Sequence, residues 1–232
     1  MHNHRIPKTT HLTTAALLAG PMVTTAGMAL TPWEDEFTTQ AYQAALAADP
    51  VQAQWAAITL AFGYALLGLT LFTVLRHAEH RGAPPLLRRA AAVAAFFAAT
   101  ILPGLVSVDF YDLALAQTLP VDQAVAVADQ VHTYGLAAIL RVASGIGFLF
   151  GGILTLSTAW KAGIAPGWSP LLAVGSLVLP IAAAGPAAFI GGSALMLVTF
   201  GSVAVRLRAQ RATDVPAREP VADVDPALTL AV

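Results

Sequence analysis

Apolar residues fill this chain in six long blocks, and polar ones gather in the gaps between them. The first block runs roughly from Thr13 to Thr31 and ends at Trp33, the second from Trp55 to Val74, and the third from Ala90 to Val108. The fourth covers Tyr134 to Ala159, the fifth starts at Trp168 and meets the sixth near Gly185-Pro186, and the sixth ends at Val205. A helix crosses a bilayer with about 20 predominantly apolar residues. The pattern therefore predicts an all-α polytopic membrane protein, a bundle of six transmembrane helices. Pro103-Gly104 should kink or loosen the third. The expected organisation is a cytoplasmic N-terminus over 1–12, a six-helix domain over 13–207 and a disordered cytoplasmic tail over 208–232 carrying Pro216, Pro220 and Pro226.

The two longest gaps, about 34–54 and 109–132, share a layout. Each opens on an acidic and aromatic cluster, Trp33-Glu34-Asp35-Glu36-Phe37 or Asp109-Phe110-Tyr111-Asp112, and continues into Ala- and Gln-rich sequence. Short amphipathic surface helices are predicted in both, with Pro120 placed to start one, as proline prefers first-turn positions.

Charge turns this pattern into a topology. Arg5 and Lys8 precede the first block, and Arg76, Arg81, Arg88 and Arg89 separate the second from the third. Lys161 separates the fourth from the fifth, and Arg206, Arg208, Arg211 and Arg218 follow the sixth. The long connectors carry acids only: Glu34, Asp35, Glu36 and Asp49 in one, Asp109, Asp112, Asp122 and Asp129 in the other. Cytoplasmic loops retain Lys and Arg, so both termini are expected inside and both acidic connectors outside a plasma membrane. Trp33, Trp55, Trp160 and Trp168 stand at block ends, where indoles favour the headgroup region. A cleavable signal peptide competes for the first block. That block is longer than a usual signal core and has no convincing small-x-small site before Thr31, so a retained helix is expected.

Composition agrees. Hydrophobic residues make up 57% of the 232 and charged ones 11%, against about 25% charged in soluble domains; the mean hydropathy is +0.70. A net charge of -1, with its basic residues dispersed, argues against a nucleic-acid partner. Without cysteine there is no disulfide, thiolate metal site or Cys nucleophile.

Lipid offers helices no hydrophobic reason to associate, so small and hydroxylated residues should mark their contacts. Thr13, Leu17, Gly20, Thr24, Gly27 and Thr31 share one helical face, as do Thr59, Gly63, Leu66, Thr70 and Thr73. In the fourth block Ser144, Gly145, Phe148, Gly151, Gly152 and Thr155 should face protein, and Val142, Ile146, Leu149, Ile153 and Leu156 lipid. Gly147 and Gly151 form a GxxxG pair, expected to pack within the chain rather than to mediate a dimer.

Arg141 is the one basic residue inside a block. It lies about 10 Å below the outer end of the fourth span, at 1.5 Å per residue. A central charge costs about 2.5–3.5 kcal/mol on insertion scales, so a partner is expected: Asp109 or Asp112 first, then Asp129 or Glu34. Two readings stay open. One is an ion pair pinning the third helix to the fourth, which is the preferred reading. The other is an outward polar pocket that binds a small anionic ligand, with His132 and Tyr134 near its mouth.

No histidine falls within a block, which excludes a haem ligated between spans. His77 and His80 read as a solvated helix end, and His2, His4 and His11 as a flexible tail, with too few ligands for zinc. No P-loop, nucleophile elbow or HExxH is present. No cofactor is expected.

The layout resembles uncharacterised six-span integral membrane proteins of high-GC Gram-positive bacteria. The resemblance rests on Leu18-Ala-Gly-Pro21 in an Ala-rich first span, Ala47-Ala-Asp-Pro-Val51 before the second, and the short hairpin between the last two. It implies a six-helix plasma-membrane protein and no activity. The expected role is a non-enzymatic scaffold, accessory or regulatory subunit, contacting the bilayer, a membrane-protein partner or a second copy. The alternatives are a transporter or anion binder using Arg141, and a membrane enzyme of unrecognised type.

Overall fold

The computed structural model describes residues 11–34, 36–183 and 185–214. Among them every regular element is a helix: α1 (His11–Leu30), α2 (Thr39–Ala48), α3 (Pro50–His80), α4 (Pro85–Leu105), α5 (Val108–Thr118), α6 (Val121–Thr133), α7 (Gly135–Lys161), α8 (Ser169–Ala183) and α9 (Pro186–Asp214). Five stretches are long and apolar enough to cross a membrane: α1, α3, α4 continued through α5, α7 and α9. The stretch expected as the fifth span is α8, only 15 residues with Pro180 inside it. It reaches about 22 Å at 1.5 Å per residue, short of a hydrocarbon core about 30 Å thick. The connectors expected to hold surface helices contain α2, α5 and α6.

Local signals set the ends. The Asp49 carboxylate accepts from the Gln52 N–H at 3.0 Å and Pro50 occupies the first turn, so α3 begins before Trp55. The α8–α9 turn uses Gly185 at φ +100, a conformation that excludes most side chains. Helix α9 continues past Val205 to Asp214, beyond the expected end. Its Arg206 donates to the Ala165 carbonyl at 3.1 Å, Gln210 to that of Gly163 at 2.9 Å, and Arg208 Nε to Thr14 Oγ1 at 3.1 Å. The start of the expected tail is thus a helix tied to its neighbours by polar bonds; residues 215–232 lie outside the described residues, as do 1–10 with His2 and His4.

The long helices close a ring in the order α1, α3, α4, α7, α8, α9 and back to α1, with α3 also touching α7. Glycines set the distances. A Cβ on Gly20 would come within 2.5 Å of the Leu67 backbone, and one on Gly147 within 2.4 Å of the Ala98 nitrogen. Those helices therefore pack backbone against backbone, as small-residue interfaces allow. Thr70 adds a bond across the α1–α3 seam, its hydroxyl donating to the Ala16 carbonyl at 2.7 Å. Leu17, Leu71, Leu156 and Phe200 are fully buried in the shared core.

Helix α7 departs from its expected faces. Ser144, Gly151, Gly152 and Thr155 are buried, and Val142, Ile146 and Leu149 exposed, as their face predicts. Leu156, assigned to lipid, is 0% exposed, and Phe148, assigned to protein, is 39% exposed. The reason is that α7 changes environment along its length. Its second half is enclosed by neighbours, with Gly147 and Gly151 against α4 in the same chain. In its first two turns, residues 135–142, every residue but Ala137 is exposed. One face assignment does not fit both halves.

Candidate functional site

At the acid-rich end, α2 packs against α5 and α6. Thr38 starts α2, its hydroxyl accepting from the Ala41 N–H at 3.1 Å. Thr39, Tyr42, Gln43 and Leu46 then fall on one face by three- and four-residue spacing. Each of the three polar ones meets an acid. The Thr39 hydroxyl donates to Asp129 Oδ1 at 2.7 Å, the Tyr42 hydroxyl to Asp109 Oδ1 at 2.5 Å, and Gln43 Nε2 to Asp112 Oδ1 at 3.2 Å. Gln43, only 3% exposed, also reaches the Ala124 carbonyl of α6 at 3.4 Å. Leu46 joins Ala53 and Leu113 in a small apolar cluster packed against Tyr42. A cavity of about 150 Å3 lies among Gln40, Gln43, Ala47, Ala116, Val121 and Ala124.

Burial, followed by the Asp109 carboxylate, pushes the Tyr42 phenol far above its ordinary range; Asp112 and Glu34 add to the effect. The hydroxyl therefore stays protonated and remains the donor in its bond to Asp109. The arrangement makes these carboxylates acceptors for side chains of α2. Among the described residues no group of three His, Asp or Glu is placed to hold a metal ion.

The structure brings Asp109 and Asp112 together, one turn apart on α5 and turned to α2. Asp129 joins them through α2, and Glu34 is close enough to act on Tyr42. Arg141 lies in the second turn of α7, on the exposed stretch, and Tyr134 stands exposed at the α7 N-cap without a side-chain cap bond. His132 belongs to the last turn of α6; its side chain, like Asp35, lies outside the described residues. Sequence reasoning looked to Arg141 as the acids' partner and missed Thr39, Tyr42 and Gln43. The signal was their shared helical face, obscured because a search for charge partners passes over uncharged donors.

The solvated helix end expected at His77 and His80 needs correcting. Helix α3 continues through both, and His77 is only 7% exposed. Its Nδ1 lies 2.9 Å from the Thr73 carbonyl. A carbonyl only accepts, so Nδ1 carries the proton and Nε2 is left as a buried acceptor without a partner.

No protein-family model, curated protein or solved structure matches this chain.

Proposed function

We propose that the chain is a multi-pass plasma-membrane protein with cytoplasmic termini, acting as a non-enzymatic scaffold, accessory or regulatory subunit. Its partners on this reading are the bilayer and either another membrane protein or a second copy, met through its helices or its acidic cap. Supporting the orientation are the partition of Lys and Arg to one side and the membrane-length apolar helices. Trp55, Trp160 and Trp168 are exposed near helix ends, as interfacial tryptophans are. The close seat of Gly20 on Leu67 supports retention of α1. Helix α8 completes six spans if the bilayer thins locally around it, a modest cost. One observation carries the non-enzymatic reading: Asp109, Asp112 and Asp129 are tied to Tyr42, Gln43 and Thr39 as structural acceptors.

The absence of native cysteine makes the orientation directly measurable. Single-cysteine variants at Asp122 and Arg89 should react oppositely with a membrane-impermeant maleimide: the first in intact cells, the second only after permeabilisation. Equal labelling of both in intact cells overturns the orientation.

A second reading, an anion binder at Arg141, is favoured by the exposure of that residue on the free stretch of α7. Thermal-shift screening of the purified protein against anions and metabolites separates the two. The scaffold reading expects no shift that differs between wild type and Arg141→Ala, and an Arg141-dependent shift moves the assignment to the binder.

A further inference from the structure

The ring of long helices is not filled at its acid-rich half. A cleft of about 50 Å3 lies inside it, walled by Pro21 and Thr24 of α1, Tyr64 of α3, Phe148 of α7, Pro180 of α8 and Phe189 of α9. That is several times the roughly 10–15 Å3 needed for one water. Prolines inside α1 and α8 contribute, since each removes a helical hydrogen bond and bends its helix away from close contact.

The hydroxyls of the cleft set it apart from the rest of the bundle. Thr25, Thr73, Thr100, Thr158 and Thr199 all donate to the carbonyl one turn back on their own helices. Thr24 does not: its Oγ1 is buried without a hydrogen-bond partner, on a residue 7% exposed. Tyr64 also lines the cleft, and among the described residues no hydrogen bond holds its hydroxyl. Two unsatisfied donors thus face an otherwise apolar space, where an unmade hydrogen bond is costly. Their complement is an acceptor oxygen flanked by hydrocarbon. Phe148 is both cleft wall and 39% exposed, next to the part of α7 that stands clear of its neighbours. The cleft therefore has an approach from the side of the bundle.

We infer that this cleft binds the carbonyl group of a membrane lipid, with Thr24 and Tyr64 donating to its oxygen and the hydrocarbon lying along Phe148, Pro180 and Phe189. An acyl ester and the ring carbonyl of a prenyl quinone share this chemistry. The inference needs the chain in a bilayer, which the maleimide labelling tests separately, and does not depend on the scaffold role.

Trp33 is a built-in reporter. Its ring stacks on Phe189 at 4.0 Å between centroids, and its Nε1 donates to the Met28 carbonyl at 3.0 Å. The full chain in detergent is titrated in one arm with a short-chain prenyl quinone and in the other with a glycerolipid brominated in its acyl chain. Both quench tryptophan, and subtracting the signal of Trp33→Phe isolates the reporter. Saturable quenching is expected in at least one arm, and that arm identifies the source of the carbonyl. Thr24→Val and Tyr64→Phe should each weaken binding about three- to ten-fold, the loss of one hydrogen bond. Ser193→Phe, which fills the cleft from α9, should abolish it. A brominated alkane without a carbonyl should bind as weakly as the lipid binds the hydroxyl variants. Non-saturable quenching in both arms overturns the inference, as does unchanged affinity in the two hydroxyl variants. Those near-isosteric variants decide the matter even if Ser193→Phe fails to fold.

Discussion

The ring and the acidic cap are built by opposite means. Where α1 meets α3 and α4 meets α7, side chains are reduced to hydrogen or methyl so that backbones touch, as at Gly20 on Leu67 and Gly147 on Ala98. Where α2 meets α5 and α6, long polar side chains reach across and end on carboxylates. Hydroxyls follow the same division: those of the ring mostly turn back to their own helix, while Thr39 and Tyr42 of the cap cross to another. The difference fits two solvents. Dispersion at close approach works in lipid, where no hydrophobic drive exists between helices. Side-chain hydrogen bonds with a small apolar cluster suit an element at a water boundary.

If the ring depends on backbone approach, adding bulk there should cause the largest damage in the protein. Gly147→Leu puts a branched chain where even a Cβ meets the Ala98 backbone at 2.4 Å. Overpacking a core costs about 1–3 kcal/mol when side chains yield, and backbone yields less, so the variant should lose most folded, monodisperse protein in detergent chromatography. Gly145→Ala, two residues away with nothing within 4 Å of its Cβ, is the control. It should be neutral or stabilising by up to about 1 kcal/mol from helix propensity. Equal behaviour of the two variants would remove the contact argument.

The cap should break more gently and alone. Tyr42→Phe leaves Asp109 without its donor, at a cost of about 1–2 kcal/mol for a partly buried acceptor. Amide exchange should speed up through α2 while the middle of α3 keeps its protection. In a double-mutant cycle with Asp109→Asn, a coupling energy near zero would show that the bond does not hold the cap.

The comparison also explains what could be read in the chain beforehand. The blocks were legible because a membrane-length helix is a composition before it is a structure, and the small-residue faces followed from helical period. Helix α8 was misjudged because Trp168 to Pro186 is continuously apolar, although the turn at Gly163–Ser169 and the one at Gly185 leave room for only 15 helical residues. Leu156 and Phe148 were misplaced because the enclosure of α7 varies along its length, which no single helical face encodes. The acids were found, but their partners were sought among charges. Arg141 drew that search because a lone cation inside a block is conspicuous, whereas Tyr42 and Gln43 are ordinary residues in an Ala-rich stretch. The cleft depends on which hydroxyls lack a partner, a property only of the assembled ring.

Alkaline pH should sharpen the contrast at a smaller scale. The Tyr42 phenol is raised in the folded cap relative to its unfolded value, about 10. A raised pKa leaves its stabilisation intact below the unfolded value and removes it as pH climbs above that value, because the opened form releases its proton first. Exchange through α2 should therefore be flat with pH up to about 10, once intrinsic chemical exchange is corrected, and rise beyond it. Tyr42→Phe should abolish this additional rise. A rise that persists in that variant would assign the effect to another group.

The smallest effect is expected at the residue with the most conspicuous charge. Arg141 belongs to neither region: it is exposed on α7 before that helix enters the ring. Exposed substitutions typically change stability by within about 0.5 kcal/mol. Arg141→Lys keeps the charge and loses the planar fork, and Arg141→Ala loses both. If the residue serves only orientation or surface polarity, Lys and Ala should each shift the melting temperature little, with no change in protection of α2 or α3. A drop with Ala that Lys rescues would identify a charge contact that stabilises the fold. A drop with both would mean that the fork itself is bound, making Arg141 the lock between α7 and its surroundings.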